Sequence, residues 1–70
     1  MNKLKVGVIG VGSMGKNHVR SYAALKNICD LKGVYDLDQQ LATEVAESYG
    51  VKAFSSMEEL MSEVDAVNIA

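Results

Sequence analysis

Gly10-Val11-Gly12-Ser13-Met14-Gly15 is the stretch of this chain whose residue types and spacing are best suited to chemistry. Glycine at the first, third and sixth positions gives a turn with little side-chain cover. Gly10 permits a sharp bend, Gly12 lets another molecule approach the main chain, and Gly15 lets a helix pack closely on what precedes it. If a helix starts inside this loop, the amides around Ser13 and Met14 have no partner within it and carry the positive end of its dipole. Amides so arranged hold an anion, and the spacing suits a diphosphate. The second residue of interest is Asp36, about twenty residues beyond Gly15. An acid at that separation accepts hydrogen bonds from the adenosine ribose of a dinucleotide. Asp36 could instead cap the next turn, but Asp38 stands nearer the following helix and suits that role better, so the ribose role is favoured for Asp36. A carboxylate there repels a 2′-phosphate, and Leu37, Gln39 and Gln40 offer no arginine to receive one. Lys32 lies too early in its run to do so. Together these residues predict NAD(H) in preference to NADP(H).

Two other glycine-loop chemistries compete. Gly10 to Lys16 also reads as the opening of a triphosphate-binding loop, G-x-x-x-x-G-K, but Asn17 lacks the hydroxyl that would reach magnesium. That loop also has no use for Gly12 or Asp36. A methyltransferase binding S-adenosylmethionine shares a glycine-rich turn and an acid after its second strand. The longer GxGxxG spacing, with a helix beginning inside it, favours the dinucleotide. His18 shares a helical stripe with Met14 and Tyr22 and has no carboxylate or thiol partner at helical spacing, so it reads as a packed histidine. His18 and Cys29 alone cannot assemble the four ligands of a structural zinc, and no metal site is expected. Lys16, Arg20 and Lys26 read as a solvated face. No residue offers a convincing proton donor or acceptor for catalysis.

The elements that must position the loop follow from periodicity. Leu4–Ile9 is a short, β-branched run ending at the glycines, as in a strand buried on both faces. Residues 13 to about 26 carry apolar groups at helical spacing. Leu31–Tyr35 is a second strand-like run. From Asp38 to Tyr49, Leu41, Val45 and Tyr49 recur every four residues, with Ala42 and Ala46 beside them and Gly50 as the stop. Val51–Phe54 predicts a brief third strand. Ser55 with Glu58, and Ser56 with Glu59, each fit a capping box opening a third helix, in which Met57, Leu60, Met61 and Val64 form an apolar face with the methionines at core positions. Asp65 leads into a fourth strand, Ala66–Ala70.

The order β-α-β-α-β-α-β predicts an α/β fold with a parallel sheet, since parallel neighbours need crossover connections. Right-handed crossovers place the strands in the order 3-2-1-4, a Rossmann-like parallel sheet limited to its first β-α-β-α-β-α-β portion. Ligands bind such sheets at the carboxyl ends of the strands, where the order reverses. Seventy residues make one domain at most, and a lean one. Nine acids against seven bases give a net charge of −2 with no basic cluster, so direct nucleic-acid binding is not expected. No apolar stretch reaches the roughly 18 residues of a membrane span, and Lys3 and Lys5 precede a run too short and Gly-rich for a signal peptide. The single Cys29 permits no internal disulfide and suits a reducing compartment, so a cytoplasmic location is expected. The fourth strand would leave a bare edge through which the chain could self-associate.

The run Lys5-Val6-Gly7-Val8-Ile9-Gly10-Val11-Gly12-Ser13-Met14-Gly15-Lys16-Asn17-His18 is similar to the opening of the Gfo/Idh/MocA family, the glucose–fructose oxidoreductases and inositol dehydrogenases, with their GxGxxGxxH pattern. The resemblance continues through Val34-Tyr35-Asp36, Tyr49-Gly50-Val51, Ser56-Met57-Glu58-Glu59-Leu60 and Asp65-Ala66-Val67-Asn68-Ile69-Ala70. It implies a nicotinamide-dependent oxidoreductase acting on sugars, polyols or similar small molecules. By resemblance, Gly10, Gly12, Ser13, Met14 and Gly15 meet the pyrophosphate, Asp36 the adenosine ribose, and Leu37 lies near the adenine. Ile69 and Ala70 edge the crevice near the nicotinamide, and His18 belongs to the architecture of the loop. The family's catalytic lysine segment and separate substrate domain would follow Ala70. The chain is therefore expected to be the N-terminal half of a dinucleotide-binding domain, holding cofactor without catalytic residues of its own. The alternative function is a non-catalytic module that senses a dinucleotide.

Overall fold

A computed structural model describes residues 3–70. The first strand, β1 (Leu4–Ile9), runs into the glycine loop, and α1 (Ser13–Ala24) starts within it. There follow β2 (Cys29–Tyr35), α2 (Gln39–Tyr49), β3 (Lys52–Ala53), α3 (Met57–Glu63) and β4 (Ala66–Ile69). All strand pairs are parallel, and the sheet order is β3-β2-β1-β4, the arrangement that the alternation and crossover handedness predict.

Local rules place most boundaries. The Asp38 carboxylate accepts the Leu41 amide at 3.1 Å and opens α2, while Gly50, at φ 67°, closes it by donating its amide to the carbonyls of Ala46 and Glu47. Of the two possible capping serines before α3, Ser56 does the work, its hydroxyl accepting the Glu59 amide at 3.1 Å. Helix α1 stops at Ala24, short of the expected Lys26, because the Leu25 amide turns back to the Tyr22 carbonyl and the Ile28 and Cys29 amides close on Leu25. That turn lets β2 begin at Cys29, paired with Leu4, rather than at Leu31. The third strand is shorter than expected because only Lys52 and Ala53 meet β2, opposite Gly33 and Val34.

The two faces of the sheet are built differently. On one, α1 and α2 touch each other and cover Val8 and Val34 with Val19, Ala42, Val45 and Ala46, which together with Val11 form the main buried cluster. Fully burying each of the valines among them contributes about 1.5–3 kcal/mol. On the other face lies α3. There β1 and β2 present Gly7 and Gly33 side by side, because a one-residue bulge at Lys32 brings Gly33 opposite Gly7. The two glycines form a floor on which the buried Leu60 and Phe54 lie directly. A Cβ on Gly7 would come within 2.6 Å of Leu60 Cδ1, and one on Gly33 would strike the Phe54 ring and the Lys52 carbonyl.

The expected core role of Met57 and Met61 is not what the fold gives. They are 47% and 54% exposed, and Leu60 is the one residue of α3 that is fully covered. Helical spacing identifies a shared stripe but not the width of what covers it, and a seven-residue helix seated on a two-glycine floor needs only one large side chain beneath it. Strand β4 is fixed to β1 at its start by Asp65, whose amide donates to the Lys5 carbonyl at 2.8 Å while its carboxylate accepts the Lys5 amide at 3.0 Å. It is fixed to α1 by the Asn68 side-chain amide, which donates to the Tyr22 hydroxyl at 3.1 Å. No described helix is long and apolar enough to cross a membrane.

The glycine floor has a measurable consequence. Gly33→Ala meets a backbone carbonyl as well as a ring, so it should destabilise the chain by about 1–3 kcal/mol. Gly7→Ala meets only the flexible end of Leu60 and should cost less. Denaturant unfolding of the two variants would reveal the ranking, and equal losses would show that the buried Leu60 yields no more readily than the Lys52 carbonyl and the Phe54 ring.

Candidate functional site

The carboxyl ends of β1 and β2 meet the turn after β4 at one end of the sheet. The chain leaves β1 towards β2 through α1 on one face and arrives at β4 through α3 on the other, so the strand order reverses there. A hollow of about 270 Å³ opens at this point. Ile9 and Gly10 line it from β1, Tyr35, Asp36 and Leu37 from β2, Met57 from α3, and Ala70 from the end of β4. Hollows of similar volume lie between α1 and α2, about 260 Å³, and at the opposite end of the sheet, about 210 Å³. Of the three, only the first is lined by Gly10 of the glycine loop and by Asp36, so chemistry rather than volume singles it out.

The glycine loop has the geometry its spacing predicts. Gly10 adopts φ +89°, a conformation costly to any residue with a Cβ, and its amide donates to the Tyr35 carbonyl at 2.8 Å. Gly15 lies so close beneath that an added Cβ would collide with the Gly10 carbonyl. Gly12, the residue preceding α1, is the opposite case: among the described residues, its chain neighbours aside, a Cβ there would meet nothing within 4 Å. The space over Gly12 is open to a ligand. The first internal bond of the helix runs from the Lys16 amide to the Gly12 carbonyl at 2.9 Å, so the amides of residues 13–15 precede the helical ladder. Ser13 and Met14 contribute backbone to this turn; their side chains lie outside those described. Amides at a helix start, with the positive end of the helix dipole behind them, form the kind of turn that can hold an anion.

Asp36 stands at the end of β2, beside the loop. One carboxylate oxygen accepts the Val11 amide at 2.8 Å and the other accepts the Asp38 amide at 2.8 Å. The turn-holding role weighed for this residue is present, through the Asp38 amide at the start of α2, and the residue also lines the hollow. The Val11 amide, followed by that of Asp38, lowers its pKa, against a smaller opposing effect of burial, so the group is held as an anion. Lys32 lies well back along β2 and pairs with Asp30 at 3.1 Å, away from the hollow.

The remaining expected residues divide. Leu37 lines the hollow and is 89% exposed, a bare apolar side chain at its rim. Ala70 lines the hollow, its amide bonded to the Ile9 carbonyl at 3.0 Å. Ile69, the last residue of β4, is 74% exposed and is not among the lining residues. His18 is half-buried on α1. Residue spacing missed Tyr35, Ile9 and Met57. The first two could have been found from their place at strand ends, whereas Met57 comes from α3, whose position depends on the glycine floor. Among the described residues no group of three or more His, Cys, Asp or Glu could hold a metal ion.

Residues 4–70 match the family model described as an oxidoreductase family with an NAD-binding Rossmann fold. Over 69 residues the chain is 45% identical to the UDP-N-acetylglucosamine 3-dehydrogenase of Acidithiobacillus ferrooxidans, covering 99% of this chain and 21% of that protein. The solved structure of that enzyme superposes with a TM-score of 0.91 at 43% identity, over 100% of this chain and 22% of the other. The glucose-6-phosphate 3-dehydrogenase of Bacillus subtilis is 33% identical, over 94% of this chain and 19% of its own length. The myo-inositol dehydrogenase of Lactobacillus casei, solved with NAD(H) and myo-inositol, superposes with a TM-score of 0.86 at 26% identity, over 99% of this chain and 22% of that one. The chain therefore spans about a fifth of the length of these relatives. With a family match across nearly every residue and the glycine loop set at the crevice of a 3-2-1-4 sheet, this chain belongs to the Gfo/Idh/MocA oxidoreductase family, with its NAD-binding Rossmann fold.

Proposed function

We propose that this chain is the N-terminal half of a dinucleotide-binding domain, and that it holds NAD(H) for an oxidoreductase acting on a hydroxyl or carbonyl group of a sugar or polyol. The observation that carries the reading is the open space over Gly12, next to the first amides of α1 and beside the Asp36 carboxylate. Backbone amides at Ser13, Met14 and Gly15 would hold the pyrophosphate over Gly10 and Gly12. Asp36 would accept the adenosine ribose hydroxyls. The exposed Leu37 would cover the adenine, and Ala70, with Ile69 beside it, would edge the nicotinamide side. When bound, the dinucleotide supplies the site from which hydride is given or taken; this chain's part is to bind and orient it.

The substrate class rests on the relatives, which are named for UDP-N-acetylglucosamine, glucose 6-phosphate and inositol. Groups for proton transfer and substrate binding would lie on other segments of a longer protein, in keeping with the fifth of the relatives' length that this chain spans. Preference for NAD(H) over NADP(H) follows from charge: the Asp36 anion opposes a 2′-phosphate, and Lys32, paired with Asp30, is not placed to offset it. A lone free cysteine, Cys29, fits a reducing compartment, and the cytoplasm is the proposed location.

Two substitutions test the assignment. Gly12→Val adds a side chain where no described residue beyond its chain neighbours comes within 4 Å and where φ is −68°, so the fold should survive while NADH binding is lost. Calorimetry and circular dichroism together read both effects, and undiminished binding would remove the loop from the site. Asp36→Ala deletes a charged acceptor, worth about 1.5–3 kcal/mol for a hydrogen bond to the ribose. It should weaken NADH by roughly tenfold or more and NADPH by less, and an unchanged NADH-to-NADPH ratio would refute the ribose role.

A further inference from the structure

We propose that Asp36 is also a positioning residue for the glycine loop: by accepting the amides of Val11 and Asp38 together, it fixes the anion-binding turn before any dinucleotide arrives. The inference rests on the dinucleotide reading above and deepens it.

The two amides that Asp36 accepts belong to different crossings of the chain. Val11 lies in the turn from β1 to α1, and Asp38 caps α2 after β2. Both bonds are 2.8 Å, and one of them spans 25 residues of sequence. Hydrogen bonds to an ionised acceptor are about twice as strong as neutral ones. An ionised carboxylate has about four lone-pair sites, so two remain for a ribose while two hold the protein. Val11 is held from the other side as well, its side chain fully buried in the cluster of Val8, Val19 and Val34. Its neighbours are Gly10, in the left-handed region, and Gly12, near which no described residue beyond the chain neighbours would meet a Cβ within 4 Å. Glycine-flanked backbone has the most freedom to lose on ordering. The Val11 amide is therefore the point at which an outside group can set the course of the loop, and Asp36 occupies that point.

This arrangement separates two consequences that a ribose-binding role alone would not. A carboxylate close to a bound diphosphate is electrostatically unfavourable, so its neutralisation, taken by itself, would tighten the binding of an anion. If Asp36 positions the loop, its loss has the opposite effect, because amides that must be ordered upon binding hold the anion less well. Asparagine sharpens the contrast. It is nearly the same size but has one acceptor oxygen in place of two, so it can satisfy only one of the two amides and turns a donor towards the other.

The test uses the full chain, wild type and Asp36→Asn, with inorganic pyrophosphate as a probe that has no ribose. In Asp36→Asn the pyrophosphate affinity is expected to fall about threefold to tenfold, the order of change that one lost hydrogen bond of about 1 kcal/mol produces. Amide hydrogen exchange at Val11 should accelerate by at least a similar factor while exchange at the core amides of Val34 and Val45 is unchanged, which separates loosening of the loop from loss of the fold. Asp36→Ala should show the same pattern more strongly. Equal or tighter pyrophosphate binding by Asp36→Asn, or a Val11 amide as protected as in the wild type, would overturn the proposal and leave the ribose role standing. A wild-type chain that binds neither NADH nor pyrophosphate would bring down the dinucleotide reading and, with it, this inference.

Discussion

At Gly15 the first turn of α1 rests against the Gly10 carbonyl with no room for a Cβ between them. That contact sets how near the start of the helix comes to the end of the central strand, and the rest of the site depends on it. It brings the unpaired amides of the helix to the mouth of the sheet and leaves Gly12 as the exposed point of the turn. It also explains why the turn must pass through a positive φ at Gly10, since the chain has to reverse within a few residues to run back along the sheet. A side chain at Gly15 would push the helix outwards and its first amides with it, whereas one at Gly10 would press on the Ala70 carbonyl.

Around this contact the chain uses backbone hydrogen bonds to join elements distant in sequence. The Gly10 amide reaches the end of β2 at Tyr35, the Ala70 amide reaches β1 at Ile9, and Asp36 links the turns that open α1 and α2. The crevice is thus bounded by three strand ends in mutual register, and it is largely formed by the protein alone. A preformed site of this kind lowers the ordering that a ligand must impose and so favours its binding. On the opposite face, the paired Gly7 and Gly33 let α3 sit low enough that Met57 reaches the same crevice.

Much of this was legible in the sequence because it is local. The glycine spacing, the Asp38 cap and the Gly50 stop each follow from the conformational needs of one turn, and the strand order follows from crossover handedness. Asp36 was legible by its distance from the loop. What escaped depended on register. The bulge at Lys32 aligns Gly33 with Gly7, and no periodicity announces a bulge. Without that alignment the low seat of α3, the exposure of Met57 and Met61 and the reach of Met57 into the crevice could not be read. The bond from the Val11 amide to Asp36 escaped for a related reason: it joins two loops whose separation is set by pairing between β1 and β2.

A dinucleotide bound as proposed lies across the glycine turn and along the end of β2. The most direct measurement is a titration of the isotopically labelled chain with NADH, followed through its backbone amide resonances. Shifts are expected to concentrate at Gly10 to Gly15, at Asp36 and Leu37, and at Ala70, with the α2 residues of the groove between α1 and α2 silent. Shifts centred on that groove, around Leu41 and Tyr49, with the glycine turn unmoved, would contradict it.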